Sequence, residues 1–283
     1  MQEKTDMYTT DTLKEKIVQT IEGVRVLRPL VPSLTNSVTI DLVANAQLAV
    51  GGSAAMIYLA DEGEIMAANG AAFYMNFGTV APFYEETVER TLKKLAELSR
   101  PWVLDPVAAG MGELRTRLLM LAKEYPPAII RGNASEIITL AQLWGLSENN
   151  SARTVHGVDS TDEVMNAATE ADALAEFIGG AVAVSGKNDL VTDGKQAALC
   201  FGGSPLFTAV TGAGCSLGGV AAVYAAVAEP FVAALTATQL YNSAGAMAVK
   251  KSSGPASFMN EVLDLFYTIE PQTVAEQSFT LTV

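Results

Sequence analysis

Residues 128–144 read AIIRGNASEIITLAQLW. A short apolar run ending on Arg131 has the pattern of a buried strand, and after the polar corner Gly132-Asn133 the residues Ser135-Glu136 open a helical pattern over 135–144. The same change of period recurs along the chain. Strand candidates stand at 26–31, where only the first half fits, and at 55–59, 72–77, 102–105, 181–185 and 197–201. Helical patterns lie at about 12–22, 38–49, 83–99, 113–124 and 161–178, and the C-terminal third is expected to be all helical. Strands alternating with helices predict an α/β fold with a mostly parallel central sheet flanked by helices on both faces. With no linker, repeat or low-complexity tract, one domain over residues 1–283 is expected.

Composition limits the function classes. The chain has 283 residues, 49% of them hydrophobic, and a net charge of −13. An acidic surface disfavours nucleic acid and anionic membranes as partners, so an anionic small molecule must be met by local groups. The two cysteines, Cys200 and Cys215, do not form a C-x-x-C pair, and His156 is the single histidine. Neither a disulfide framework nor a zinc site is predicted. The N-terminal residues are acidic where a signal peptide needs a basic patch and an apolar run, which predicts a cytoplasmic protein. Residues 217–240 are apolar and nearly long enough to span a membrane, but Glu229-Pro230 divides them, so a junction between two buried helices is expected.

In parallel α/β sheets ligands sit beyond the carboxyl ends of the strands. Polar residues follow strand candidates at Asp105-Pro106, Arg131-Gly132-Asn133, Ser185-Gly186 and Asn76 to Thr79, and the loop Thr211-Gly-Ala-Gly-Cys215 opens the C-terminal helices. Each has a plain structural reading: Asn133 or Ser135 caps a helix, and Asp105 occupies a turn. Taken together they gather carboxylates (Asp105, Glu136), a cation (Arg131), a hydroxyl (Ser185) and a loop rich in free N–H groups. That inventory suits phosphoryl transfer. Gly212 and Gly214 begin a G-x-G-x-x-G pattern, but Leu217 breaks it, and no Walker A loop is present.

The segments PLVPSLTNSVTIDLVANAQLAVGGSAAM, LDPVAAG, IIRGNASEI, HGVDSTD, VSGKNDLVTDG, TGAGCSLGGV and SSGPASF, spread over about residues 27–268, resemble in order and spacing the hydroxyethylthiazole kinases of thiamine salvage. The resemblance implies a ribokinase-like fold, ATP as co-substrate, Mg²⁺, and a homotrimer with sites between subunits. Asn36, Asn45, Met56 and Gly212 then correspond to substrate-binding positions, with Met56 equally readable as core. Arg131, Asn133, Ser185 and Gly214 correspond to the ATP site, Asp105 and Glu136 to Mg²⁺ ligands, and Cys215 to the catalytic residue. Cys200 reads as a buried packing residue.

Three positions depart from the family pattern: Pro32 stands for a histidine, Lys187 for a glutamate, and His156 for a basic residue. Two other readings stay open beside the thiazole kinase, namely a kinase of another small alcohol on the same fold and a non-catalytic nucleotide or thiazole binder. Related kinases carry Asp where this chain has Cys215, and the helix N-terminus there is expected to favour the thiolate.

Overall fold

The computed structural model describes residues 7–147 and 164–282. Among them one sheet holds β1 (Leu30–Leu34), β2 (Ser53–Met56), β3 (Phe73–Asn76), β4 (Trp102–Asp105), β5 (Ile129–Asn133), β6 (Ala181–Ser185), β7 (Asp189–Thr192), β8 (Ala197–Cys200) and β9 (Phe279–Thr282). Their spatial order is β2-β1-β3-β4-β5-β6-β7-β8-β9. Pairing is parallel as far as β6 and antiparallel from β6 to β9. The chain steps from β1 to β2 on one side and returns as β3 on the other. A crevice therefore opens at the carboxyl ends of β1 and β3, where the winding reverses.

The helices are α1 (Thr10–Leu27), α2 (Ile40–Ala49), α3 (Ala60–Asn69), α4 (Tyr84–Glu97), α5 (Glu113–Glu124), α6 (Ala134–Trp144), α7 (Ala168–Ile178), α8 (Ala213–Ala225), α9 (Pro230–Ala248), α10 (Pro255–Thr268) and α11 (Pro271–Ala275). Alternate strand side chains feed two cores, as the two-residue period of a strand requires. Tyr74, Val103, Ile129 and Ala181 join α1, α2 and α8 to α10 on one face. Phe73, Met75, Leu104, Ile130 and Val182 join α4 to α7 on the other. Full burial of each large apolar side chain contributes roughly 1.5–3 kcal/mol. Helix α8 is buried all round from Ser216 to Ala225, which accounts for its apolar sequence. Pro230 opens α9 at its first turn, as expected of the Glu229-Pro230 junction, and among the described residues no helix is long and apolar enough to cross a membrane.

Several boundaries move. Val26 and Leu27 close α1 rather than open a strand; Arg28 adopts a left-handed conformation (φ 47°) with its N–H on the Val24 carbonyl, and Pro29 follows. The strand expected at 55–59 lies at Ser53–Met56. The C-terminal third is not all helical, because β9 returns to pair with β8. The patterns at β7 and α3 also escape the sequence reading, being too short or too polar to show a clear period. Residues 161–163 and His156 lie outside the described residues.

Candidate active site

Asp105 ends β4 and is fully buried. Its Oδ2 accepts from the Tyr74 hydroxyl and from Asn76 Nδ2, each at 2.8 Å, and stands 3.7 Å from Arg131 Nη1. Its other oxygen, Oδ1, is buried with no hydrogen-bond partner. Burial, and then the charge of Glu136, push the carboxyl up to about 6, against the pull of Arg131, Tyr74 and Asn76. An acid held in this way is poised for a counter-charge that the chain only partly supplies.

Arg131 projects from β5 and is 8% exposed. Its Nη2 donates to Ser185 Oγ at the end of β6 across 3.0 Å, while Nε is buried and unpartnered. The guanidinium lies against the first turn of α8: a Cβ on Gly214 would fall 2.6 Å from Arg131 Nη1. A side chain at position 214 would therefore push the guanidinium away from the helix N-terminus. Asn133 and Glu136 form a capping box at α6, with Asn133 Oδ1 accepting from Glu136 N and Glu136 Oε2 accepting from Asn133 N, both at 2.9 Å. Glu136 Oε1 accepts from Ala108 N at 3.2 Å, tying α6 to the loop after Asp105. The capping reading of Asn133 is thus met in the fold.

Gly212 caps α8 with φ +87°, and a Cβ there would meet Thr39 Cγ2 at 2.6 Å. The close approach brings the loop after β1 onto the helix that carries Cys215. Asn36 Nδ2 donates to Cys215 Sγ at 3.4 Å and to Asn76 Oδ1 at 2.9 Å. Burial, and then the charge of Asp105, hold the thiol above its ordinary range despite Thr39, Arg131 and Asn36. The thiolate expected from the helix N-terminus is therefore overridden by desolvation. Tyr74 was hidden inside an apolar strand pattern, yet its hydroxyl reaches both Asp105 Oδ2 and the Cys215 carbonyl, the latter at 2.7 Å. It does so because Gly218 of α8 presents no side chain to the phenol ring.

Asp105, Arg131, Ser185, Gly212, Gly214, Cys215 and Asn36 thus converge on the carboxyl rim of the sheet. Asn45 does not join them; it is exposed on α2 and bonds to Asp41 at 3.1 Å. Met56 is half-buried at the end of β2, opposite Ser33. Cys200 is wholly buried in β8, as expected. A cavity of about 760 Å³ runs from Arg131, Ser185 and Gly214 toward Phe207 and Asn242, with Lys187 among its lining residues. That size and mixed lining suit a nucleotide-sized ligand. Pro32 is buried within β1 opposite Ala55.

The hydroxyethylthiazole kinase family model matches residues 21–272. Hydroxyethylthiazole kinase of Bifidobacterium adolescentis is 48% identical over 274 residues, covering 93% of this chain and 93% of that protein. The structure of hydroxyethylthiazole kinase from Pyrococcus horikoshii OT3 superimposes with a TM-score of 0.83 at 28% identity, over 95% of this chain and 98% of that one. A ribokinase-like superfamily protein from Enterococcus faecalis, 13% identical, shares the fold with a TM-score of 0.60 over 92% and 94% of the two chains. The fold is ribokinase-like, and with a family match running from α1 to α11 the chain belongs to the hydroxyethylthiazole kinase family.

Proposed function

We propose that this chain transfers the terminal phosphoryl group of ATP to the hydroxyl of 4-methyl-5-(2-hydroxyethyl)thiazole, acting in thiamine salvage in the cytoplasm. The observation that carries the reading is the meeting of Asp105, Arg131 and Cys215 at the first turn of α8, within a chain of this family. Phosphoryl transfer runs through a loose transition state, so positioning and charge stabilisation supply most of the rate. Arg131, held by Ser185, and the free N–H groups around Gly214 meet the phosphate oxygens. The cavity beyond them takes the rest of the nucleotide. Asn36, Met56 and Gly212 are assigned to the thiazole side.

Asp105 and Glu136 are the residues that would hold Mg²⁺. The donors fit: Asp105 Oδ1 is a buried oxygen without a partner, and the Glu136 oxygens, each accepting one backbone N–H, keep a further lone pair, while Mg²⁺ takes most of its ligands from water and phosphate. An ion held there would neutralise charge on the phosphate oxygens. The Cys215 sulfur, oriented by Asn36, holds the attacking hydroxyl in line and takes its proton late, in the ionised fraction of the thiol.

The assembly is assigned as a homotrimer with Met56 of one subunit completing the site at Cys215 of the next. Half-buried Met56 at the end of an edge strand, together with exposed Leu59, Ile65 and Phe83 on the elements that follow, supports a covered face. ATP consumption measured with and without hydroxyethylthiazole tests the activity. Thiazole-dependent release of ADP is expected; release driven only by another small alcohol, or nucleotide binding with no turnover, would overturn it in favour of one of the other two readings.

A further inference from the structure

The turn between β6 and β7 carries a lysine to the same cavity that Arg131 lines. We propose that Lys187 is a second phosphate-binding cation of this site, an assignment that rests on the nucleotide reading above. The turn is anchored on its far side. Asp189 Oδ1 accepts from Gly186 N and its Oδ2 accepts from Asn242 Nδ2 of α9, both at 3.0 Å. Both oxygens of that carboxylate are thus engaged, and Lys187 and Asn188 are left at the tip of a braced turn lining the cavity. Ser185, two residues before Lys187, bonds to Arg131 at 3.0 Å. The two cations are therefore attached to one rim.

Charge supplies the reason for a second cation. ATP is a polyanion and the chain carries a net charge of −13, so the long-range field opposes its approach and local positive charge must reverse that. Arg131 and Lys187 are the two basic residues among those lining the cavity. Arg131 is buried and held between Ser185 and Asp105. Lys187 is exposed, and among the described residues no carboxylate pairs with it. A flexible ammonium at the rim is suited to draw in a phosphate chain and settle on it, whereas the fixed guanidinium receives the chain in one geometry.

Calorimetric titration with ADP and with adenosine, on the unaltered full chain and on Lys187→Ala, Lys187→Glu and Lys187→Arg, tests the assignment. Lys187→Ala should weaken ADP about fivefold and Lys187→Glu about twentyfold, the size of a partly exposed charge contact and its reversal. Lys187→Arg should stay within about twofold. Adenosine affinity should be the same in all four proteins, and the ADP differences should shrink in about 0.5 M salt. Because the side chain is exposed, thermal melting of the variants should match the unaltered chain. Unchanged ADP affinity in Lys187→Glu, or an equal loss for adenosine, would overturn the assignment. Failure of the unaltered protein to bind ADP or ATP while still binding the thiazole would instead bring down the nucleotide reading, and this assignment with it.

Discussion

Asn36 donates its side-chain amide to the sulfur of Cys215 across 3.4 Å, joining the loop after β1 to the first turn of α8. The same amide donates to Asn76 Oδ1, and Asn76 Nδ2 donates to Asp105 Oδ2. A continuous set of hydrogen bonds thus links the thiol to the buried carboxylate. Removing the charge or the sulfur at either end has distinct consequences.

Cys215 should make turnover pH-dependent. Burial and the Asp105 charge hold its thiol above the ordinary range, so near pH 7 only a small fraction is ionised, and kcat should rise about tenfold per pH unit between about 6.5 and 8.5. Cys215→Asp should retain or improve turnover and flatten that rise. Cys215→Ala should lose about a hundredfold to ten-thousandfold. A folded but inactive Asp variant, with phosphate found on Cys215 of the unaltered protein by mass spectrometry, would favour a covalent sulfur and sink the proton-acceptor role.

Asp105 should cost stability at neutral pH. Its folded pKa, about 6, exceeds the ordinary 3.8, so the folded state holds the proton more tightly than the unfolded chain and stability falls as pH rises through that window. Asp105→Asn should therefore be more stable than the unaltered chain above pH 6, by up to about 3 kcal/mol of unfolding free energy, and lose the advantage below about pH 4. The same variant should be nearly inactive, since it removes the proposed Mg²⁺ ligand. Equal melting temperatures across the whole pH range would show that Arg131 fully compensates the charge.

Arg131→Ala should raise the Michaelis constant for ATP and lower turnover by roughly tenfold to a hundredfold, the worth of a charge-assisted hydrogen bond of about 1.5–3 kcal/mol. Thiazole affinity, read by calorimetry, should be nearly intact. A matching loss of thiazole affinity would make Arg131 a structural residue.

Sites shared between subunits predict complementation. Met56→Arg and Cys215→Ala chains, each inactive alone, should regain partial activity when mixed under conditions of subunit exchange, because some interfaces then pair two intact halves. No recovery after confirmed exchange would place each site within one chain, and light scattering of the unaltered protein checks the trimer itself.

Much of this protein is legible in its residues alone. The shift from a short apolar run to a helical period at 128–144 marks β5 and α6, because buried strands and amphipathic helices impose different spacings on apolar side chains. The polar residues Asp105, Arg131 and Ser185 could be singled out for the same reason: they stand where apolar runs stop, and a parallel sheet collects such ends on one rim. What the residues alone did not determine depends on distance through space. Tyr74 reads as one more core aromatic until Gly218 lets α8 close on it and its hydroxyl meets Asp105. The state of the Cys215 thiol is set in the same way: a helix N-terminus is visible in sequence, whereas burial and a carboxylate more than a hundred residues away, which raise its pKa, are not. The strands β7 and β9 are likewise products of tertiary pairing, since segments so short have little preference of their own and gain order only from the ladder bonds of β6 and β8.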